Sequence, residues 1–247
     1  MKKFKKLIPA LCMLLVSAVM LGSTTFAWFS MNNTVTATGM QITADTDNTY
    51  LLIGGSTEDL NAIRAKTGAA AKTTAITVTS EQSVVKPSAH ETLSSSATPD
   101  KASSWYTGSG TSHDSTGYVL DNSTKTFLTD GDFSKYVIKR TVRLAVADGS
   151  KATGEVKVSL ESYVKVGNGE KNQPVTVLIV CGTNYVEYKN NVLVGASNKI
   201  VDSVPTDNYV EVDIYVYYDG NNSEVYSNNA ANLSGASFGL KFVAEYA

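Results

Sequence analysis

Val210-Glu211-Val212-Asp213-Ile214-Tyr215-Val216-Tyr217-Tyr218 is the stretch whose reading decides the fold. Its aliphatic side chains fall at every second position, and Glu211, Asp213, Tyr215 and Tyr217 fill the places between them. A period of two puts the aliphatic set on one face of an extended strand and the acids and tyrosines on the other. Asp219-Gly220-Asn221-Asn222 follows, a run of residues suited to ending a strand in a turn.

The same alternation recurs on both sides. Tyr136, Ile138, Val142, Leu144 and Val146 interleave with Lys139, Thr141 and Arg143 up to a turn at Asp148-Gly149. Val156, Val158, Leu160, Val164 and Val166 then interleave with Glu155, Lys157, Glu161 and Lys165. Val175 to Cys181 is apolar on both faces, as a central strand requires. Tyr185 to Val194 reads as a hairpin turning at Asn190-Asn191. Phe238, Leu240 and Phe242 mark a last strand ending near Tyr246. Shorter strands are expected around Tyr50 to Ile53 and from Thr73 to Val85, and one short helix from Thr57 to Lys66, closed by Gly68. Many short strands with Gly, Asn and Asp turns predict an all-β chain, a jelly-roll-like antiparallel β-sandwich. Lys86 to Gly117, rich in Ser, Thr, Gly and Ala, reads as a long polar loop inserted into it and dispensable to its core. Trp105-Tyr106 is that segment's one aromatic island, and it carries both histidines, His90 and His113.

The first 27 residues read as a secretory signal peptide. Four lysines lie among Met1 to Lys6, an apolar run follows from Leu7 to Leu21, and Thr25-Phe26-Ala27 provides a small-x-small cleavage site. That run is shorter than the roughly 20 apolar residues a bilayer-spanning helix needs. Residues 28–247 are then a single β-sandwich domain whose first segment, 28–44, is strand-prone and led by Trp28-Phe29. Losing the four leader lysines takes the formal charge from -2 to -6. A mildly acidic domain has no electrostatic reason to bind nucleic acid or anionic lipid, so contact with a membrane is expected only through an uncleaved leader. Cys12 leaves with the leader, and Cys181 alone forms no intramolecular disulfide.

The residues of catalysis are sparse. The two histidines, the usual general bases, read as solvated loop residues, and His90-Glu91 lacks the second histidine of a zinc-protease helix. No glycine-rich phosphate cradle follows a strand. Asp45/Asp47 and Asp130/Asp132 offer carboxylate oxygens to calcium, but acidic turns have ordinary turn chemistry as well. No enzyme activity and no cofactor are expected. Tyr209, Tyr215 and Tyr217 share a strand face with acids and form a weak candidate platform for glycan.

Two stretches carry a family resemblance. Thr25-Phe26-Ala27-Trp28-Phe29-Ser30, with Val35-Thr36-Ala37-Thr38-Gly39-Met40-Gln41-Ile42 behind it, resembles the leader junction of Gram-positive proteins processed by the SipW-type signal peptidase. Val212 to Gly220, followed by Phe238 to Tyr246, is similar to the strand, acidic-Gly, strand pattern of the TasA and camelysin biofilm matrix proteins, with Asp219-Gly220 as the acidic-Gly pair. Tyrosine stands where that family often has tryptophan near the pair, and the family's downstream cysteine is missing. The resemblance implies a jelly-roll domain, export to the extracellular matrix, and assembly into fibres through the freed N-terminal segment. Trp28, Phe29, Val35, Met40 and Ile42 are the candidate assembly residues. The alternative is a monomeric secreted module that binds glycan or a host surface. The leader reading predicts cleavage between Ala27 and Trp28. The intact mass of the exported protein is expected to correspond to a chain starting at Trp28, and a mass retaining Leu7 to Leu21 contradicts it.

Overall fold

The computed structural model describes residues 40–45, 51–66, 73–76, 86–91, 104–113, 117–164, 175–223, 225 and 237–244. The first strands in chain order are β1 (Met40–Asp45), β2 (Leu51–Gly55), β3 (Thr73–Ile76), β4 (Ala89–His90), β5 (Trp105–Thr107), β6 (Gly110–His113), β7 (Gly117–Leu120) and β8 (Thr126–Phe127). The later ones are β9 (Val137–Val146), β10 (Val156–Val164), β11 (Val175–Cys181), β12 (Asn184–Lys189), β13 (Val192–Val194), β14 (Lys199–Val201), β15 (Val210–Tyr218) and β16 (Ser237–Ala244). Two short helices accompany them, α1 (Leu60–Arg64) and α2 (Asp130–Phe133).

Two sheets pack face to face. One has the order β14-β10-β16-β1-β3 and the other β13-β12-β11-β15-β9-β2. The aliphatic face of β15 turns inward as its alternation requires, so Val212, Ile214 and Val216 meet Val158, Leu240 and Phe242 of the opposite sheet in one core cluster. β11 is the central strand its composition predicts, paired antiparallel with β12 on one side and β15 on the other. The β12–β13 hairpin turns through Asn190 and Asn191, whose φ angles of 50° and 66° are the left-handed pair a two-residue turn of this kind needs. The antiparallel all-β sandwich is therefore present. One pairing departs from it: β1 runs parallel to β16 while lying antiparallel to β3.

The helices differ from expectation in number and extent. α1 starts at Leu60 rather than Thr57, because Asp59 is the cap, accepting from Ala62 N at 2.8 Å. Glu58 is drawn away from the helix to accept from Gly55 N at 2.6 Å. The second helix, α2, occupies the Asp130-Gly131-Asp132 stretch read above as an acidic turn.

The larger correction concerns residues 86–117. The described residues of this segment are not a solvated loop. β4, β5 and β8 form a three-stranded sheet, and β6 pairs with β7. Together they cap the outer face of the second sandwich sheet. Trp105 is fully buried there, in a cluster with Leu128, Val137, Leu178, Val180, Tyr215 and Tyr217. Its ring lies edge-on to Tyr217 at 4.7 Å between centroids and tilted over Tyr215 at 5.7 Å. Tyr106 and Ala89 join Leu120 in a smaller buried cluster. The cap is stitched on by main-chain bonds: Ser88 N donates to Tyr218 O, and Gly220 N donates to Ser88 O. Few apolar residues are needed for this, since one indole buries more area than any aliphatic side chain.

Removing that indole leaves a cavity over two tyrosines. Trp105→Ala is expected to lower the unfolding free energy by about 3–5 kcal/mol, read from denaturant melts. Deletion of residues 86–117 is expected to abolish the cooperative thermal transition. A deletion variant that melts like the parent would show the cap to be independent of the sandwich.

Candidate functional site

Under the cap, the outer face of the second sheet carries a buried polar network. Strand register sets its members side by side. Thr176 of β11 faces Lys189 of β12 and Tyr217 of β15, and Leu178 faces Glu187 and Tyr215. His90 comes down from β4, and Asp219 sits where β15 ends. Tyr217 OH donates to Glu187 Oε1 at 2.9 Å, and His90 Nε2 lies 3.4 Å from the same oxygen. Lys189 Nζ lies 3.5 Å from Glu187 Oε1 and donates to Asp219 Oδ2 at 2.8 Å. Asn221 N donates to the other oxygen of Asp219 at 3.0 Å, turning the chain after the strand. The Asp219 and Glu187 side chains are 5% and 8% exposed.

The glycine after Asp219 is required by contact. A Cβ at Gly220 would lie 2.8 Å from Leu120 Cδ2 and 2.9 Å from Leu120 Cβ, so the cap approaches the sandwich closely there. Asn221 also reaches the cap, its Nδ2 donating to Tyr106 OH, and Asn122 Nδ2 donates to Asn221 Oδ1. Asp219-Gly220 is thus where sandwich and cap are fastened together.

Charge in the network is matched. Burial pushes the Glu187 carboxyl up, but the His90 hydrogen bond, the Lys189 charge and the Tyr217 hydroxyl outweigh it and hold the group below the usual carboxylate range. Burial pushes the Lys189 ammonium down, and its bonds to Asp219 and Glu187 more than reverse that. Burial, with the charges of Glu187 and Asp219, holds the Tyr217 phenol well above its ordinary value, so it stays a neutral donor. Elsewhere, burial and then the charges of Asp213 and Asp202 push the Cys181 thiol up to about 11, so it is protonated and unreactive at neutral pH.

The residues singled out from sequence fall in different places. Tyr215 and Tyr217 are 0% and 1% exposed beneath Trp105, so they pack and donate rather than present a glycan platform. Tyr209 is half-buried, stacked on the Arg143 guanidinium at 4.2 Å. His90 is not a solvated loop residue but a partner of Glu187, Trp105 and Tyr217. His113 lies in β6. Met40 and Ile42 lie in β1, paired with strands of their own chain. Ala27, Trp28, Phe29 and Val35 lie outside the described residues, as does Asp47. Asp45 ends β1. The Asp132 carboxylate is engaged by Lys135 and Thr129. Among the described residues no group of three His, Cys, Asp or Glu side chains is placed to hold a metal ion. Sequence reading missed Glu187 and Lys189. They alternate with Val186 and Tyr188 in a hairpin arm, where charges usually face water.

No family model and no curated protein matches this chain.

The network holds the cap through buried charge. Removing one partner of a buried charged set leaves the others unsatisfied, and Glu187→Ala is expected to cost about 3 kcal/mol at neutral pH. The carboxyl is held low in the folded state, so its contribution is full above the unfolded value of about 4.3 and is lost as pH falls through the folded value. Urea melts across the acid range are therefore expected to show a steeper loss of stability in the parent than in Glu187→Gln. Parallel pH profiles would contradict the role assigned to Glu187.

Proposed function

We propose that the chain is exported and serves as a structural subunit of an extracellular fibre or biofilm matrix, joining its neighbours through its N-terminal strand. The observation that carries this reading is the place of β1. This strand follows directly on residues 28–39, and it fills a slot between β16 and β3 with backbone bonds on both sides. The same bonds are available to the equivalent strand of a neighbouring copy. Exchange of an identical element between subunits costs little in contacts, and passing it onward rather than back gives an open filament. The aromatic lead Trp28-Phe29 supplies apolar surface that a subunit gains by burying against a neighbour. The leader, with its SipW-type junction, and the resemblance of Val212 to Gly220 to the matrix-protein pattern support export and the same role. The signal peptidase is then the partner during export, and copies of the chain are partners afterwards.

The monomeric binding module is the weaker reading. Of its candidate face, Tyr209, Tyr215 and Tyr217, the last two are buried, as is Trp105 above them.

Negative-stain microscopy and size-exclusion of three forms test the proposal. The form starting at Trp28 is expected to make fibres. Removal of residues 28–39 is expected to leave a folded monomer, with β1 kept in its own sheet. A form starting at residue 46 is expected to be monomeric and to bind added peptide spanning residues 28–45. Fibres from that shortest form would rule out strand exchange. A Trp28 form that stays monomeric at every concentration would put the binding module ahead, and a shortest form that fails to fold would make β1 an element of its own chain only.

A further inference from the structure

We propose that Lys189 and Asp219 become joined by an amide bond inside the folded protein, with Glu187 carrying the proton. The proposal does not rest on the fibre reading, since all three groups belong to one chain.

Three observations converge. Lys189 Nζ lies 2.8 Å from Asp219 Oδ2, within reach of the carboxyl carbon behind it. A second carboxylate, Glu187, stands 3.5 Å from the same nitrogen and is itself fixed by Tyr217 and His90. The strand neighbours of the pair carry two buried hydroxyls without a partner: Thr176 is in register with Lys189, and Ser88 with Asp219. Buried hydroxyls left unpaired in a native structure call for an explanation. Among the described residues, the carboxylates of the other Lys–Asp contacts are more exposed. The aspartates paired with Lys135 and Lys199 are 50% and 75% exposed, and Asp213, beside Lys139, is 25% exposed, against 5% for Asp219.

The chemistry balances without any added reagent. The resting ion pair becomes neutral when one proton crosses from Nζ to the Asp219 carboxylate. The Nζ lone pair then attacks Cγ. Glu187 removes a second proton from nitrogen and returns it to Oδ2, which departs as water with the electrons of the Cγ–O bond. The ammonium and carboxylate have become an amide and one water, and Glu187 ends as it began. Condensation is unfavourable between free molecules in water, but groups held in line behave as if present at about 10⁵ M or more, which reverses the balance. The result ties β12 across β11 to the end of β15, directly beneath the cap.

Intact mass of the folded protein decides the matter. It is expected to be one water lighter than the sequence requires for its observed N-terminus. Proteolysis should yield a branched peptide joining Lys189 to Asp219, with no cleavage after Lys189. Lys189→Arg and Glu187→Gln, each checked for fold by circular dichroism, should both restore the full mass. A folded parent with full mass overturns the proposal. So does a water loss that hydroxylamine cleaves at Asp219-Gly220, because that identifies a cyclic imide of the main chain instead. A Glu187→Gln variant that still loses water overturns the part given to Glu187.

Discussion

The indole of Trp105, edge-on to Tyr217 and tilted over Tyr215, is the contact around which the outer half of the molecule is arranged. A sandwich sheet normally leaves one face to water, and its strands then alternate apolar and polar. Here β11 and β15 place Leu178, Val180, Tyr215 and Tyr217 on the outer face, which commits the chain to covering them. The cover comes from a segment that is otherwise polar. Phe133 and Tyr136 complete the rim, and Leu128 seals the far side. Once the indole is seated, His90 is carried to Glu187 and Ser88 to the end of β15.

That dependence explains which parts of the structure were legible from sequence. From Val137 onward, each strand buries one face in a single core, so a period of two appears directly in residue types. The hairpin at Asn190-Asn191 was legible for a local reason, because few residues other than glycine and asparagine accept the left-handed geometry twice in succession. The cap was not legible, because its composition is that of a surface loop and its burial rests on one tryptophan, one tyrosine and some small residues. A clue did lie outside the segment. A strand apolar on both faces, Val175 to Cys181, cannot be left with one face in water, so some other part of the chain had to cover it. The same oversight turned Tyr215 and Tyr217 into an exposed stripe. Their period was read correctly; what lay over them is a tertiary fact.

The polar network was equally hidden. Glu187, Lys189 and Asp219 come from two strands separated by a third, and His90 comes from a different layer. No spacing in the sequence links them. Only the Asp219-Gly220 pair stood out, through its resemblance to a known pattern, and its physical reason is now visible. The aspartate accepts the lysine and the turning main chain of Asn221, while the absence of a side chain at residue 220 lets Leu120 come within van der Waals distance. Neither requirement involves a ligand, so a pair of this kind is explained by how the two layers are fastened.

The parallel pairing of β1 with β16 sets an order of events in time. It joins residues 40–45 to residues 237–244, the widest separation among the described strand pairs, and contacts of that span are slow to form because most of the chain must be closed into a loop first. A chain made from its N-terminus presents β1 long before β16 exists. Through that interval β1 has β3 on one side and an open edge on the other. Under the proposed exchange, the concentration of already folded neighbours, set against the rate at which the rest of the chain arrives, decides whose sheet it joins.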